Sequence, residues 1–243
     1  SRAGAAMAAM NGVGGTMADS YDLILKGATV VNQDGEGVRD LAVSEGRMAA
    51  IGDVGSMAAE VLDCKGLHIL PGVIDSHVHF REPGLTHKED LETGSRGAVL
   101  GGVTAVFEMP NTDPTTTNAE AVADKVRRGH HRMHCDFAFY VGATRENTHE
   151  LGKLELLPGV CGVKVFMGSS TGSLLIEDDD GVRNVLKAIR RRASFHSEDE
   201  YRLRERMNLR VEGDPSSHPV WRDAEAALMC TQRLVKLAHE TGK

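Results

Sequence analysis

The residues with the most evident chemistry stand in Pro71-Gly-Val-Ile-Asp-Ser-His-Val-His-Phe-Arg-Glu-Pro-Gly84. Alternate residues of a strand point to the same face, so His77, His79 and Arg81 are expected to project together from a strand end. Two imidazoles at i and i+2 can hold one side of a metal ion, and a guanidinium beside them can grip an anionic substrate. The pair alone fits two surface histidines in a turn equally well. The apolar run before it and Arg81-Glu82-Pro83-Gly84 after it make the string more specific. Lys164, in Gly162-Val-Lys-Val-Phe-Met167, is the second candidate. An ammonium inside an apolar strand is costly unless its charge is removed or paired. Reaction of the neutral amine with carbon dioxide gives a carbamate whose two oxygens can bridge two cations. A lysine that snorkels to solvent is the plainer alternative. His196 in Ser194-Phe-His-Ser-Glu-Asp199 and Asn111 in Pro110-Asn-Thr112 each fit a strand-end site. Taken singly, they also fit a helix-entry histidine and a turn asparagine.

Elements that could position these groups follow in order. Tyr21 to Val31 reads as a strand ending at the turn signal Asn32-Gln-Asp-Gly35. Asp40 to Val43 and Arg47 to Gly52 read as a hairpin around Glu45-Gly46, and Val61-Leu62 as a short strand. These suit a small β-sandwich segment over residues 21–66. Residues 67–243 read as the main domain, with strands at Leu67 to Ile74, Val103 to Met109, Asp136 to Val141, Val160 to Phe166 and Ala193 to Phe195. Helices are expected over Thr86 to Leu100, Asn118 to Arg128 with Asn118 as N-cap, Asp178 to Arg192, Glu198 to Asn208 and Pro219 to Glu240. Alternating strands and helices imply a parallel sheet. With candidate residues at strand ends, they imply a TIM-type (β/α)8 barrel of which five strands can be counted. Met167 to Leu175, rich in Gly and Ser, reads as a flexible loop.

Composition narrows the class. Of 243 residues, 41% are apolar and only 4% aromatic, so aliphatic side chains must fill the core. A net charge of −7 argues against nucleic acid and anionic membranes as partners. The four cysteines, Cys64, Cys135, Cys161 and Cys230, form no CxxC and read as reduced thiols of a cytoplasmic protein. No apolar run approaches a membrane span. Residues 1–20 read as a disordered leader or cloning remnant.

Pro71-Gly72-Val73-Ile74-Asp75-Ser76-His77-Val78-His79 resembles the opening metal motif of the amidohydrolase superfamily. His79-Phe80-Arg81-Glu82-Pro83-Gly84 and Gly101-Gly102-Val103-Thr104-Ala105-Val106-Phe107-Glu108-Met109-Pro110-Asn111-Thr112 resemble its dihydroorotase branch. The resemblance implies a binuclear zinc site held by His77, His79, a carboxylated Lys164 and His196, with Arg81 and Asn111 gripping the substrate carboxylate. The activity implied is reversible hydrolysis of dihydroorotate to N-carbamoyl-L-aspartate in pyrimidine synthesis. The resemblance further implies that Met167 to Leu175 closes over bound substrate, a fourth histidine and a proton-shuttling aspartate on strands after residue 243, and a homodimer or a complex with aspartate transcarbamoylase. Two alternatives are other cyclic amidohydrolases (allantoinase or dihydropyrimidinase) and a non-catalytic dihydroorotase-like subunit that scaffolds aspartate transcarbamoylase.

Overall fold

A computed structural model describes residues 20–168 and 172–243. Nearly all of the expected leader, and the centre of the expected closing loop, lie outside the described residues. The chain divides into two compact units, one up to Pro71 and one from Gly72.

The first unit is built on β1 (Tyr21–Asn32), β2 (Gly35–Ser44), β3 (Arg47–Gly52), β4 (Ala58–Asp63) and β5 (His68–Ile69). Its strand order is β3-β2-β1-β4, with β5 also paired to β1. Glu45 and Gly46 both have positive φ, 52° and 70°. Such a turn matches the twist of the flanking strands and closes the β2–β3 hairpin tightly. Ala28, Val30, Leu41 and Cys64 form the small buried cluster. The sandwich expected here is a single sheet among the described residues. A second correction concerns Leu67 to Ile74, which is not one strand. His68 and Ile69 pair with Thr29 and Val30 of β1, and the barrel strand begins only at Val73. Pro71 cannot donate to a ladder, and the unit boundary falls there.

The second unit runs β6 (Val73–Val78), α1 (Leu91–Leu100), β7 (Val103–Glu108), α2 (Ala119–Gly129), β8 (Asp136–Gly142), α3 (Leu151–Leu154), β9 (Val160–Phe166), α4 (Asp179–Ala188), β10 (Ala193–His196), α5 (Glu200–Arg206), α6 (His218–Trp221) and α7 (Ala224–Thr241). The strand order is β10-β9-β8-β7-β6, and every pair is parallel. Each crossover therefore joins neighbouring strands and never reverses direction along the sheet. That is barrel winding, and the described strands form part of a (β/α)8 barrel. Val141, Val163 and Val165 pack in one buried cluster with Val182 and Val185 of α4 and Leu237 of α7.

Helix starts follow their caps. Asp90, Asn118, Asp178, Asp199 and Asp223 each accept a backbone N–H from the first turn of α1, α2, α4, α5 and α7. Helix α4 stops short of Arg192 for a tertiary reason. The backbone N–H groups of Arg190 and Arg191 are taken by the buried Glu155 carboxylate at 2.7 and 3.0 Å, not by helical carbonyls. The long helix expected from Pro219 is broken into α6 and α7, with Asp223 capping the second. No helix among the described residues is long and apolar enough to cross a membrane.

Asn118 is the most exposed test of this local logic. Its side chain accepts from Ala121 N–H at 2.8 Å. Asn118→Ala should cost about 1 kcal/mol in urea unfolding, and Asn118→Asp should retain most of the stability. Equal midpoints for all three proteins would remove the cap from the account.

Candidate functional site

Parallel strands share a direction, so their C-terminal ends lie along one rim, and the candidate residues sit there. His77 lies in β6 and His79 just after it, Asn111 three residues beyond β7, Lys164 near the end of β9 and His196 at the end of β10.

Lys164 is fully buried, and its Nζ has no hydrogen-bond partner among the described residues. Alternation along β9 explains this. Val163, Val165 and Met167 enter the core against the helices, and Lys164 and Phe166 take the opposite face. The Phe166 ring lies 5.0 Å from Nζ and stacks on the His196 ring with centroids 6.0 Å apart. Ser194 and His196 stand opposite Lys164 and Phe166 in the β9–β10 register. Burial pulls the lysine down to about 8.

The rings of His77 and His79 lie 5.2 Å apart. Burial, and then the positive charge of Arg81, push His79 down to about 4. Desolvation and then the Lys164 charge lower His77 as well, although its side chain stays open to solvent, and the charge of His196 reaches it too. Both imidazoles are thereby kept neutral, the form that donates a lone pair to a metal. His79 Nδ1 donates to Asn111 Oδ1 at 2.9 Å, which leaves Nε2 as its free donor atom. Among the described residues no three His, Cys, Asp or Glu side chains are gathered closely enough to hold a metal ion. The charge of Lys164 reaches both His77 and His79, and its strand is paired with the strand that ends in His196. Neutral imidazoles around a buried, unpartnered amine suit a metal centre if that amine is turned into an anionic ligand.

Arg81 departs from simple alternation. Its φ is +66°, a left-handed conformation that is uncommon outside glycine, so the chain turns over after His79 instead of continuing the strand. Gly84, at φ +85°, lies so close to Asp113 that a Cβ would meet the Asp113 carbonyl oxygen at 2.2 Å. Asp113 N–H donates to Pro83 O at 3.1 Å. The loops after β6 and β7 are thus stitched together. They line a cavity of about 570 Å³ with Arg81, Leu85, Asn111, Thr112 and Asp113, and Leu174 lies on its far wall. Leu174 is also buried, and Leu175 bridges to Phe166. The last part of the expected closing loop is therefore anchored, and residues 169–171 lie outside the described residues. Asn111 is shared: its carbonyl oxygen is committed to His79, and only its amide N–H groups remain for a ligand.

Three residues that shape the site had no evident role from the sequence. Glu108 and Lys125 form an ion pair with both side chains 1% exposed, and Lys125 also donates to Met109 O at 3.0 Å. The pair ties α2 to the end of β7, next to the Arg81 turn, whose backbone and charge both favour the Glu108 carboxylate. Burial nonetheless pushes Glu108 up and Lys125 down. A signal existed: Val122, Lys125 and Gly129 share one helix face, so a lysine occupied a core position. Glu198, two residues after His196, accepts from its Nε2.

Residues 68–235 match the amidohydrolase family. An allantoinase from Deinococcus radiodurans is 35% identical over 92% of this chain and 52% of its own length. An allantoinase from Salmonella paratyphi B is 39% identical over 66% of this chain and 35% of its own. The solved L-hydantoinase (dihydropyrimidinase) from Arthrobacter aurescens superposes with a TM-score of 0.83 at 27% identity, over 91% of this chain and 51% of that one. The chain thus spans about half the length, or less, of the relatives it matches.

The buried charges make two predictions. Lys125→Met leaves Glu108 without its cation and should cost about 3–5 kcal/mol. Adding Glu108→Leu should recover most of that loss in urea unfolding, and a single variant as stable as the parent would refute the strut. Lys164 titrates near 8 when folded and near 10.5 as a free side chain. Between those values the unfolded state binds more protons, so stability should rise with pH across that window. Lys164→Met should flatten the rise, as measured by thermal melts from pH 7.5 to 10.5.

Proposed function

The chain belongs to the amidohydrolase family, and from that premise we propose that it carries the metal-holding and ring-gripping part of a cyclic amidohydrolase, an enzyme that hydrolyses an amide C–N bond within a small ring. One observation carries the reading: a fully buried lysine with no hydrogen-bond partner among the described residues, whose charge reaches His77 and His79 and whose strand is paired with the one that ends in His196. Addition of the neutral amine to carbon dioxide, with loss of a proton, would form an N–C bond and give a carbamate. The sign of the charge reverses and two oxygens become available. His77, His79, the carbamate of Lys164 and His196 would then hold two zinc ions. Such a pair, when bound, supplies Lewis-acid polarisation of a ring carbonyl and lowers the pKa of water.

The remaining work falls to this chain's own side chains. Asn111 holds His79 in one tautomer. Leu85 and Leu174 add apolar surface to a cavity otherwise lined largely by polar groups. Arg81 offers a guanidinium to an electron-rich edge of the substrate.

The allantoinase and hydantoinase relatives support a cyclic ureide of the allantoin or hydantoin type as substrate. A second reading, dihydroorotate, is favoured by Arg81. Its guanidinium lines the cavity and has no hydrogen-bonded carboxylate among the described residues, as a grip for a substrate carboxylate requires. The commitment of the Asn111 oxygen to His79 leaves its amide N–H groups as donors, which serve a carboxylate and a ring carbonyl alike.

The test uses a full-length protein containing this chain, assayed with allantoin, hydantoin and dihydroorotate. Lys164→Ala and His77→Ala should each lose zinc and turnover together, by more than the roughly 10–100-fold that outer-shell changes cost. Arg81→Met should lower kcat/KM by one to two decades for a carboxylate-bearing ring only, the worth of one charge-assisted hydrogen bond of about 1.5–3 kcal/mol. Equal zinc in parent and His77→Ala, or no turnover of any cyclic amide, would overturn the proposal.

A further inference from the structure

His196 is held on three sides. Its ring stacks on Phe166 with an interplanar angle of 26°. Its carbonyl accepts from Met167 N–H at 3.0 Å. Its Nε2 meets a carboxylate oxygen of Glu198. Glu198 is in turn clamped by Arg222, which donates Nε to Oε1 at 3.0 Å and Nη2 to Oε2. Arg222 is steadied by the Trp221 ring, 5.5 Å from its guanidinium carbon. The Glu198 backbone is fixed as well: a Cβ on Gly168, just beyond β9, would meet the Glu198 carbonyl oxygen at 2.3 Å. The side chains of His196, Glu198 and Arg222 are 32%, 17% and 20% exposed, so the relay is largely sheltered from water.

We propose that Glu198, clamped by Arg222, is a positioning residue that fixes His196 in the Nε2–H tautomer and so presents Nδ1 as its donor atom toward the rim. The chemistry leaves one arrangement. A guanidinium only donates and a carboxylate only accepts. Both oxygens of Glu198 accept from Arg222, Oε1 from Nε and Oε2 from Nη2, the two-point pairing of a guanidinium with a carboxylate. An ionised Glu198 has no proton to give, so the hydrogen on the His196–Glu198 contact belongs to Nε2. In a neutral imidazole the lone pair is then on Nδ1. A carboxylate behind a histidine also raises the basicity of the ligating nitrogen. This inference rests on the reading of His196 as a metal ligand, but its first test does not.

The isosteric variant Glu198→Gln makes a sharp test. Arg222 can face only the carbonyl oxygen of the new amide. The amide N–H then turns toward His196 Nε2, which must accept, and the ring proton moves to Nδ1. Nitrogen-15 spectra of histidine-labelled, metal-free chain at about pH 8.5, where an ordinary imidazole is neutral, should show His196 as the Nε2–H form in the parent and the Nδ1–H form in Glu198→Gln. Glu198→Ala should give a mixture, and Arg222→Lys, which keeps the cation, should stay close to the parent. A parent with Nδ1–H, or a Glu198→Gln variant that keeps Nε2–H, overturns the proposal. A contact that merely braced β10 would not invert the tautomer. In a chelator competition, Glu198→Gln should bind zinc about 10–100-fold more weakly. A parent that binds no zinc, yet shows the tautomer inversion, would defeat the metal reading and leave the positioning role intact.

Discussion

Everything at the rim depends on one constraint: five strands that all run the same way, each paired with its neighbour in the chain. Parallel ladders cannot be joined by tight turns, so each strand must be followed by a crossover. The exits of all five strands consequently fall on one edge. Groups separated by more than a hundred residues, such as His77 and His196, come within electrostatic reach. The same constraint divides β9 by alternation. Its odd residues are packed by α4 and α7, and its even residues are turned away from that core. Lys164 is buried because the strand is, not because any partner draws it in.

The structure treats buried charge in contrasting ways. Glu155 is neutralised by backbone, accepting two N–H groups just past α4. Glu108 and Lys125 neutralise each other across 17 residues of sequence, and the lysine is further held by the Met109 carbonyl. Lys164 has no such arrangement: its Nζ has no hydrogen-bond partner among the described residues and faces the Phe166 ring. A protein of this size tolerates few unpaired buried ammonium groups, since each costs several kcal/mol. The exception stands among the imidazoles, and such departures from polar satisfaction mark function more often than defects.

The loops carry a parallel lesson. Gly84 against Asp113, and Gly168 against Glu198, are places where backbone meets backbone so closely that no side chain fits. Each joins the exit of one strand to that of another. Rigidity at the rim comes from these contacts and from the Glu82–Arg132 and Glu198–Arg222 pairs, which replace the ladder where the sheet ends.

The spacing His77-x-His79, the alternation around Lys164, the order of most strands and helices and the cap at Asn118 were legible in the sequence, because each depends on neighbours within a few positions. The resemblance reached the superfamily correctly. Its finer branch rested on short motifs, whereas relatives matched over most of the chain are allantoinases and hydantoinases. Other features were decided by tertiary contacts alone. His68 and Ile69 left the expected barrel strand because β1 offered them a ladder. Helix α4 ended early because Glu155, more than thirty residues upstream, captured the next two amides. Arg81 turned over into a left-handed conformation where alternation required it to continue. The Glu198 carboxylate, with no evident role from the sequence, became the partner of His196 with Arg222 folded against it. Periodicity and capping act through the local chain. Counter-charges and competing hydrogen-bond partners are supplied from a distance, and only the packed structure says which of them arrives.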